Sequence, residues 1–101
     1  MDRDEAAGLL RREMTCYTLR SRFDLARLIG QTEAYAVEGA SSVSYQVEVN
    51  GYWDDEPGGT IRVIAGIDDG GFRSSFNPVT DGFLMDAAGV VEMEDLDTGS
   101  G

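Results

Sequence analysis

The sequence predicts one α+β domain, in which two N-terminal helices pack on one face of an antiparallel sheet of about four strands running as a meander. Three observations carry this. Apolar residues recur at helical spacing near the start, they alternate with polar residues from Ser42 onward, and Asp-Gly and Gly-Gly steps punctuate the second half. With 101 residues the chain holds one hydrophobic core, and 42% hydrophobic residues set it apart from disordered sequences. The domain is expected to span residues 1–94.

Residues Asp2 to Met14 read as the first helix. Asp2, Asp4 and Glu5 stand where the positive end of the helix dipole favours them, and Arg11 and Arg12 are read near its negative end. Ala6, Leu9, Leu10 and Met14 make its apolar stripe. The stretch Met14–Arg20 fits either a strand, by its Thr15-Cys16-Tyr17-Thr18-Leu19 composition, or a continuation of the helix. Ser21 then signals a second helix as its N-cap, with Asp24 in a variant capping box and Gly30 at the stop. Leu25, Leu28 and Ile29 point one way along it, flanked by Phe23 and Ala26.

From Ser42 the period becomes two. Val43, Tyr45, Val47 and Val49 share one face of a strand, and Ser44, Gln46, Glu48 and Asn50 share the other. Val43, Val47, Ile61, Val63 and Leu28 are expected to be buried together. Thr60–Ile67 is a second strand, with Ile64 on the face opposite Ile61, Val63, Ala65 and Ile67 and therefore partly covered. Asp68-Asp69-Gly70-Gly71 marks a turn, Phe72–Phe76 a third strand, and Gly82–Met85 with Val90–Met93 a last hairpin. Residues 95–101 offer little to bury and are expected to be disordered, and Gly99-Ser100-Gly101 has the composition of a vector-derived linker. The order of elements resembles the layout of cystatin-like α+β domains, and a layout carries no function.

Nineteen acidic residues against eight arginines give a net charge of −11. That field repels phosphate backbones and anionic membranes, so neither nucleic acid nor membrane is an expected partner. The first residues lack the pattern of a secretory signal, and the single cysteine, Cys16, forms no internal disulfide, so the cytoplasm is the expected compartment. Cys16 is read as a small core residue; Arg12 and Arg20 lie four positions away on either side, but no second thiol or imidazole completes a mechanism.

The chain has no histidine, which excludes Ser-His-Asp and Cys-His catalysis, and no lysine, which excludes Schiff-base chemistry. No catalytic residue, metal site or cofactor is expected. Asp54-Asp55-Glu56 and Asp68-Asp69 lie at opposite ends of one strand, so they read as solvated turns rather than a calcium site. Tyr52, Trp53, Asp54 and Asp55, with Tyr45, are the candidate binding residues, since aromatics beside carboxylates suit a basic group; Trp53 also reads as a plug for the core. The expected function is non-enzymatic protein–protein interaction, with an unknown partner or a second copy, through a sheet face or an edge strand. One version is an inhibitor or immunity-like protein that neutralises a basic partner. The alternative is a small-ligand or carboxylate-dependent enzyme site between sheet and helices near Tyr45, Tyr52 and Trp53.

Overall fold

The computed structural model describes residues 1–71 and 78–94. The first helix, α1, runs over Arg3–Thr18, and Asp2 caps it by accepting a hydrogen bond from the Glu5 amide at 3.0 Å. The ambiguous stretch is therefore helical as far as Thr18. Ala6, Leu9, Leu10 and Met14 are buried as the stripe requires, and Tyr17 extends it by one turn. Two expectations change with the longer helix. Cys16 is exposed, because the buried positions Met14 and Tyr17 turn it outward. Arg11 and Arg12 stand mid-helix rather than at its end, which brings Arg11 to the sheet.

Ser21 caps α2 (Arg22–Ala26) by accepting from the Asp24 amide at 3.1 Å. The helix is a short turn and a half, after which Leu28 and Ile29 leave it and Gly30 turns the chain at φ +82°. Leu25 and Leu28 are buried while Ile29 and Ala26 pack at the margin of the core.

Five antiparallel strands follow in sequential order: β1 (Glu33–Glu38), β2 (Ser44–Trp53), β3 (Ile61–Asp68), β4 (Val79–Met85) and β5 (Val91–Glu94). The α+β arrangement is the expected one, with more strands. β1 is the element without a sequence-based counterpart; the expected strand Phe72–Phe76 lies outside the described residues, as does the tail from residue 95.

In β2, Tyr45, Val47 and Val49 face the core and Ser44, Gln46 and Glu48 face out. Val43 departs from the expected burial, at 40% exposed, since it precedes the strand in a turn that passes through Ser42 at φ +68°. Val47, Ile61, Val63 and Leu28 are buried together as expected. The helices lie on this same face, α1 over β3 and β4 and α2 over β2 and β3. The core between the layers is filled by Tyr45, Phe83, Leu10, Met14, Leu25, Ile61 and Ile67. One sheet face is thus covered, and among the described residues no helix covers the other.

The chain crosses closest at Gly51. Its amide donates to the Leu28 carbonyl at 3.3 Å, Ile29 bridges it in parallel, and a Cβ there would stand 2.8 Å from Leu28 Cβ and 3.2 Å from the Ile29 nitrogen. Backbone cannot yield that much. Gly51→Ala is expected to push the α2–β1 connection off the sheet and cost about 1–3 kcal/mol, and Val47→Ala, which leaves a cavity under α2, on the order of 1–3 kcal/mol. Chemical denaturation checks both; unchanged midpoints would refute the packing described here.

Candidate functional site

The candidate binding residues do not converge. Tyr45 and Tyr52 stand near opposite ends of the ten-residue strand β2, and their side chains leave opposite faces of the sheet. Tyr45 is buried, and its hydroxyl donates to Glu5 Oε1 at 2.7 Å. Glu5 also accepts from the Ser41 hydroxyl at 2.6 Å and the Ser41 amide at 3.2 Å, so it fastens the start of α1 to the β1–β2 turn. The Ser41 and Tyr45 hydrogen bonds hold the Glu5 carboxyl below its ordinary value, and the bond to Glu5 pushes Tyr45 up to about 12.

At the other end of β2, Trp53 packs against the core margin and Tyr52 is half-exposed. Asp54 Oδ1 accepts from Arg62 Nε at 3.0 Å and Nη2 at 2.7 Å, while Asp55 and Glu56 are exposed. Tyr52, Trp53, Asp54 and Asp55 are neighbours along the chain, but Tyr52 and Trp53 leave opposite faces of β2, and Arg62 is already engaged by Asp54. Among the described residues no group of three or more acidic or thiol side chains is arranged to hold a metal ion.

A second cluster lies where α1 ends against β1. The Tyr17 hydroxyl donates to Glu33 Oε1 at 2.5 Å, Arg20 Nη1 donates to Glu33 Oε2 at 3.1 Å, and the Arg20 guanidinium stacks on the Tyr17 ring at 4.1 Å. Tyr35 donates to Glu13 Oε1 at 2.9 Å. Burial pushes the Tyr17 hydroxyl up to about 12, reinforced by the bond to Glu33, and burial raises Tyr35 too. The bond from Tyr17 outweighs desolvation in holding Glu33 below its ordinary value. A neutral phenol beside an ionised carboxylate is neither a ready base nor a ready acid at neutral pH, so this constellation binds and braces rather than transfers protons. Beside it Arg20, Asp24, Arg27, Gln31, Thr32 and Glu33 line a cleft of about 210 Å³ whose two bases and two acids balance.

No family description, curated protein or solved structure is significantly similar to this chain. Function therefore rests on the surfaces themselves.

Charge is sorted along the chain. Residues 1–30 hold six arginines and five acids, and residues 31–101 hold two arginines and fourteen acids, net +1 against −12. On the covered face the acids are matched: Asp81, 6% exposed, meets Arg11 Nη2 at 3.0 Å, and Glu33 meets Arg20. On the uncovered face Glu38, Glu48, Asp68 and Glu92 make no ion pair among the described residues. The corner between the helices differs again: Leu19 is 83% and Phe23 76% exposed, among arginines. Arg22 pins that corner by donating to the carbonyls of Asp86 at 2.8 Å, Gly58 at 3.3 Å and Met85 at 3.4 Å. The segment-by-segment charge count was open to sequence reasoning; the pairing of Tyr17 with Glu33 was not, because it depends on β1 lying beside α1.

The raised Tyr17 sets a pH window. A phenol held protonated contributes stability that is complete below its ordinary value near 10 and is lost as pH climbs through about 12. Glu33, held low, contributes stability that is present above its ordinary value of 4.5 and lost as pH falls. In an alkaline titration followed by phenolate absorbance, late ionisation near pH 12 is expected from Tyr17 and Tyr45, and Tyr17→Phe should remove one of those two steps. All four tyrosines titrating together near pH 10 would contradict the cluster.

Proposed function

We propose that the protein is a small, non-enzymatic interaction domain whose partner is a basic protein, taken on the uncovered sheet face. The observation that carries this reading is the sorting of charge. Carboxylates under the helices are matched by Arg11 and Arg20, whereas among the described residues Glu38, Glu48, Asp68 and Glu92 make no ion pair, on a face that no described helix covers. A concentrated field of one sign accelerates encounter with a surface of the other and disfavours wrong partners. An inhibitor or immunity-like role, masking a basic functional surface, fits such a face. The edge strand β1 adjoins it and offers backbone groups for strand addition.

A second contact reading is favoured by Leu19 and Phe23. Two large apolar side chains exposed on one corner, which Arg22 holds rigid, suit an interface in their own right. The arginines around them favour an acidic partner over a basic one.

The two readings separate by mutation. Affinity capture with wild type, with a face variant (Glu38→Gln, Glu48→Gln, Asp68→Asn, Glu92→Gln) and with a corner variant (Leu19→Ser, Phe23→Ser) should recover a basic partner with wild type and the corner variant and lose it with the face variant. With the purified partner, the association rate should fall steeply with salt. Loss in the corner variant alone would transfer the contact to the helices, and equal capture by all three would sink the sheet-face proposal.

A further inference from the structure

The uncovered face is not flat. A depression of about 250 Å³ opens at its centre, lined by Glu48, Asn50, Ile64, Gly66, Asp68 and Thr80 with Pro78 at one side. Its cause lies in the register. Gly66 faces Glu48 on one neighbouring strand and Thr80 on the other, so the central position between them lacks a side chain where a strand would normally carry one. Nothing in the backbone requires glycine at Gly66: its φ is not positive, and an added Cβ would meet Pro78 no closer than 3.6 Å. The missing side chain leaves room.

The walls have opposite characters. Ile64 and Pro78 supply apolar surface, and Glu48 and Asp68 supply carboxylates. Those two sit diagonally across β2 and β3, since Glu48 pairs with Gly66 and Asp68 lies two residues farther on. Diagonal neighbours stand about 7–8 Å apart at the backbone, a gap that one cationic head group bridges. Neither carboxylate has a base among the described residues; Asp68 turns one oxygen to the Gly70 amide at 2.7 Å and Glu48 accepts only a long bond, 3.5 Å, from Asn50.

From this geometry we infer that the depression receives a lysine or arginine side chain of the partner protein, its aliphatic stem on Ile64, Gly66 and Pro78 and its charged head between Glu48 and Asp68. Long basic side chains are built for such a site, with an apolar stem and a charged tip. The inference deepens the basic-partner reading and rests on it for the source of the side chain, but the site itself is testable without any partner.

The test is amide NMR of the whole protein with N-acetyl-lysine amide and N-acetyl-arginine amide as probes, and N-acetyl-norleucine amide as the uncharged control. The charged probes should shift the Glu48, Gly66, Asp68 and Thr80 amides with one saturable, millimolar constant, and the control should leave them in place. Glu48→Gln should weaken binding about threefold to fivefold, the scale of one exposed ion pair. Gly66→Val should abolish it by filling the depression, and Gly66→Ala, which fits without a clash, should weaken it with the spectrum otherwise preserved. Shifts spread equally over the Asp54–Glu56 loop, or binding that survives both Gly66 variants, would overturn the site and leave only diffuse attraction of cations. If the site fails while the face variant still loses its partner, the depression is wrong and the sheet-face reading stands. If the probes bind but capture is indifferent to the face, the reading fails and the site remains.

Discussion

Two helices cover one face of a five-stranded sheet, and the sorting of charge follows from that constraint. A carboxylate beneath α1 loses water and needs a cation or a hydrogen-bond donor of its own. Asp81 receives Arg11, Glu33 receives Arg20 and Tyr17, and Glu5 receives Tyr45 and Ser41. These three attachments fix α1 at its start, middle and end. They engage Arg11, Arg20 and Tyr17 on the covered side. Carboxylates on the other face stay hydrated and carry the field of the molecule outward.

The parts of this fold that were legible in the sequence are those governed by a single local rule. The Ser21 cap, the stripe Ala6-Leu9-Leu10-Met14 and the alternation Tyr45-Val47-Val49 each follow from spacing alone, and the structure keeps them. Strand β1 has no such signature. Ala34, Tyr35, Ala36 and Val37 are apolar or small at every position, so no polar partner marks which face is out, and alanine favours helix by propensity. Val43 shows the converse error, a residue in phase with the strand that lies just before it starts. Cys16 was misplaced by residue type, since a free thiol is usually buried, whereas its place between Met14 and Tyr17 on the helix turns it outward.

Legibility fell further at the candidate site. Aromatics at Tyr45 and Tyr52 look adjacent along a strand, yet seven residues of extended chain and an odd spacing send them to different ends and different faces. The depression on the open face arises where Gly66 falls between Glu48 and Thr80 on its two neighbouring strands, a coincidence that only the register creates. The charge of residues 1–30 and of residues 31–101, by contrast, was countable from the start. What the count lacked was the assignment of layers, which decides the acids that are consumed internally and those left to act at a distance.

The same sorting gives the molecule a direction. With net +1 in residues 1–30 and −12 in the remainder, the charge distribution is polar as well as acidic. Screening over about 8 Å at physiological salt confines single exposed charges, but four unpaired carboxylates on one open face act together on an approaching surface. The proposed basic partner would be drawn to that face and repelled from the arginine-rich corner around Leu19 and Phe23, so the field would select an orientation before any contact formed. Contact then depends on shape, and the feature of that face with both shape and charge is the hollow beside Gly66. On the proposed reading, steering and docking fall to different residues: Glu38 and Glu92 would contribute mainly to the approach, and Glu48 and Asp68, at the rim of the hollow, to the hold.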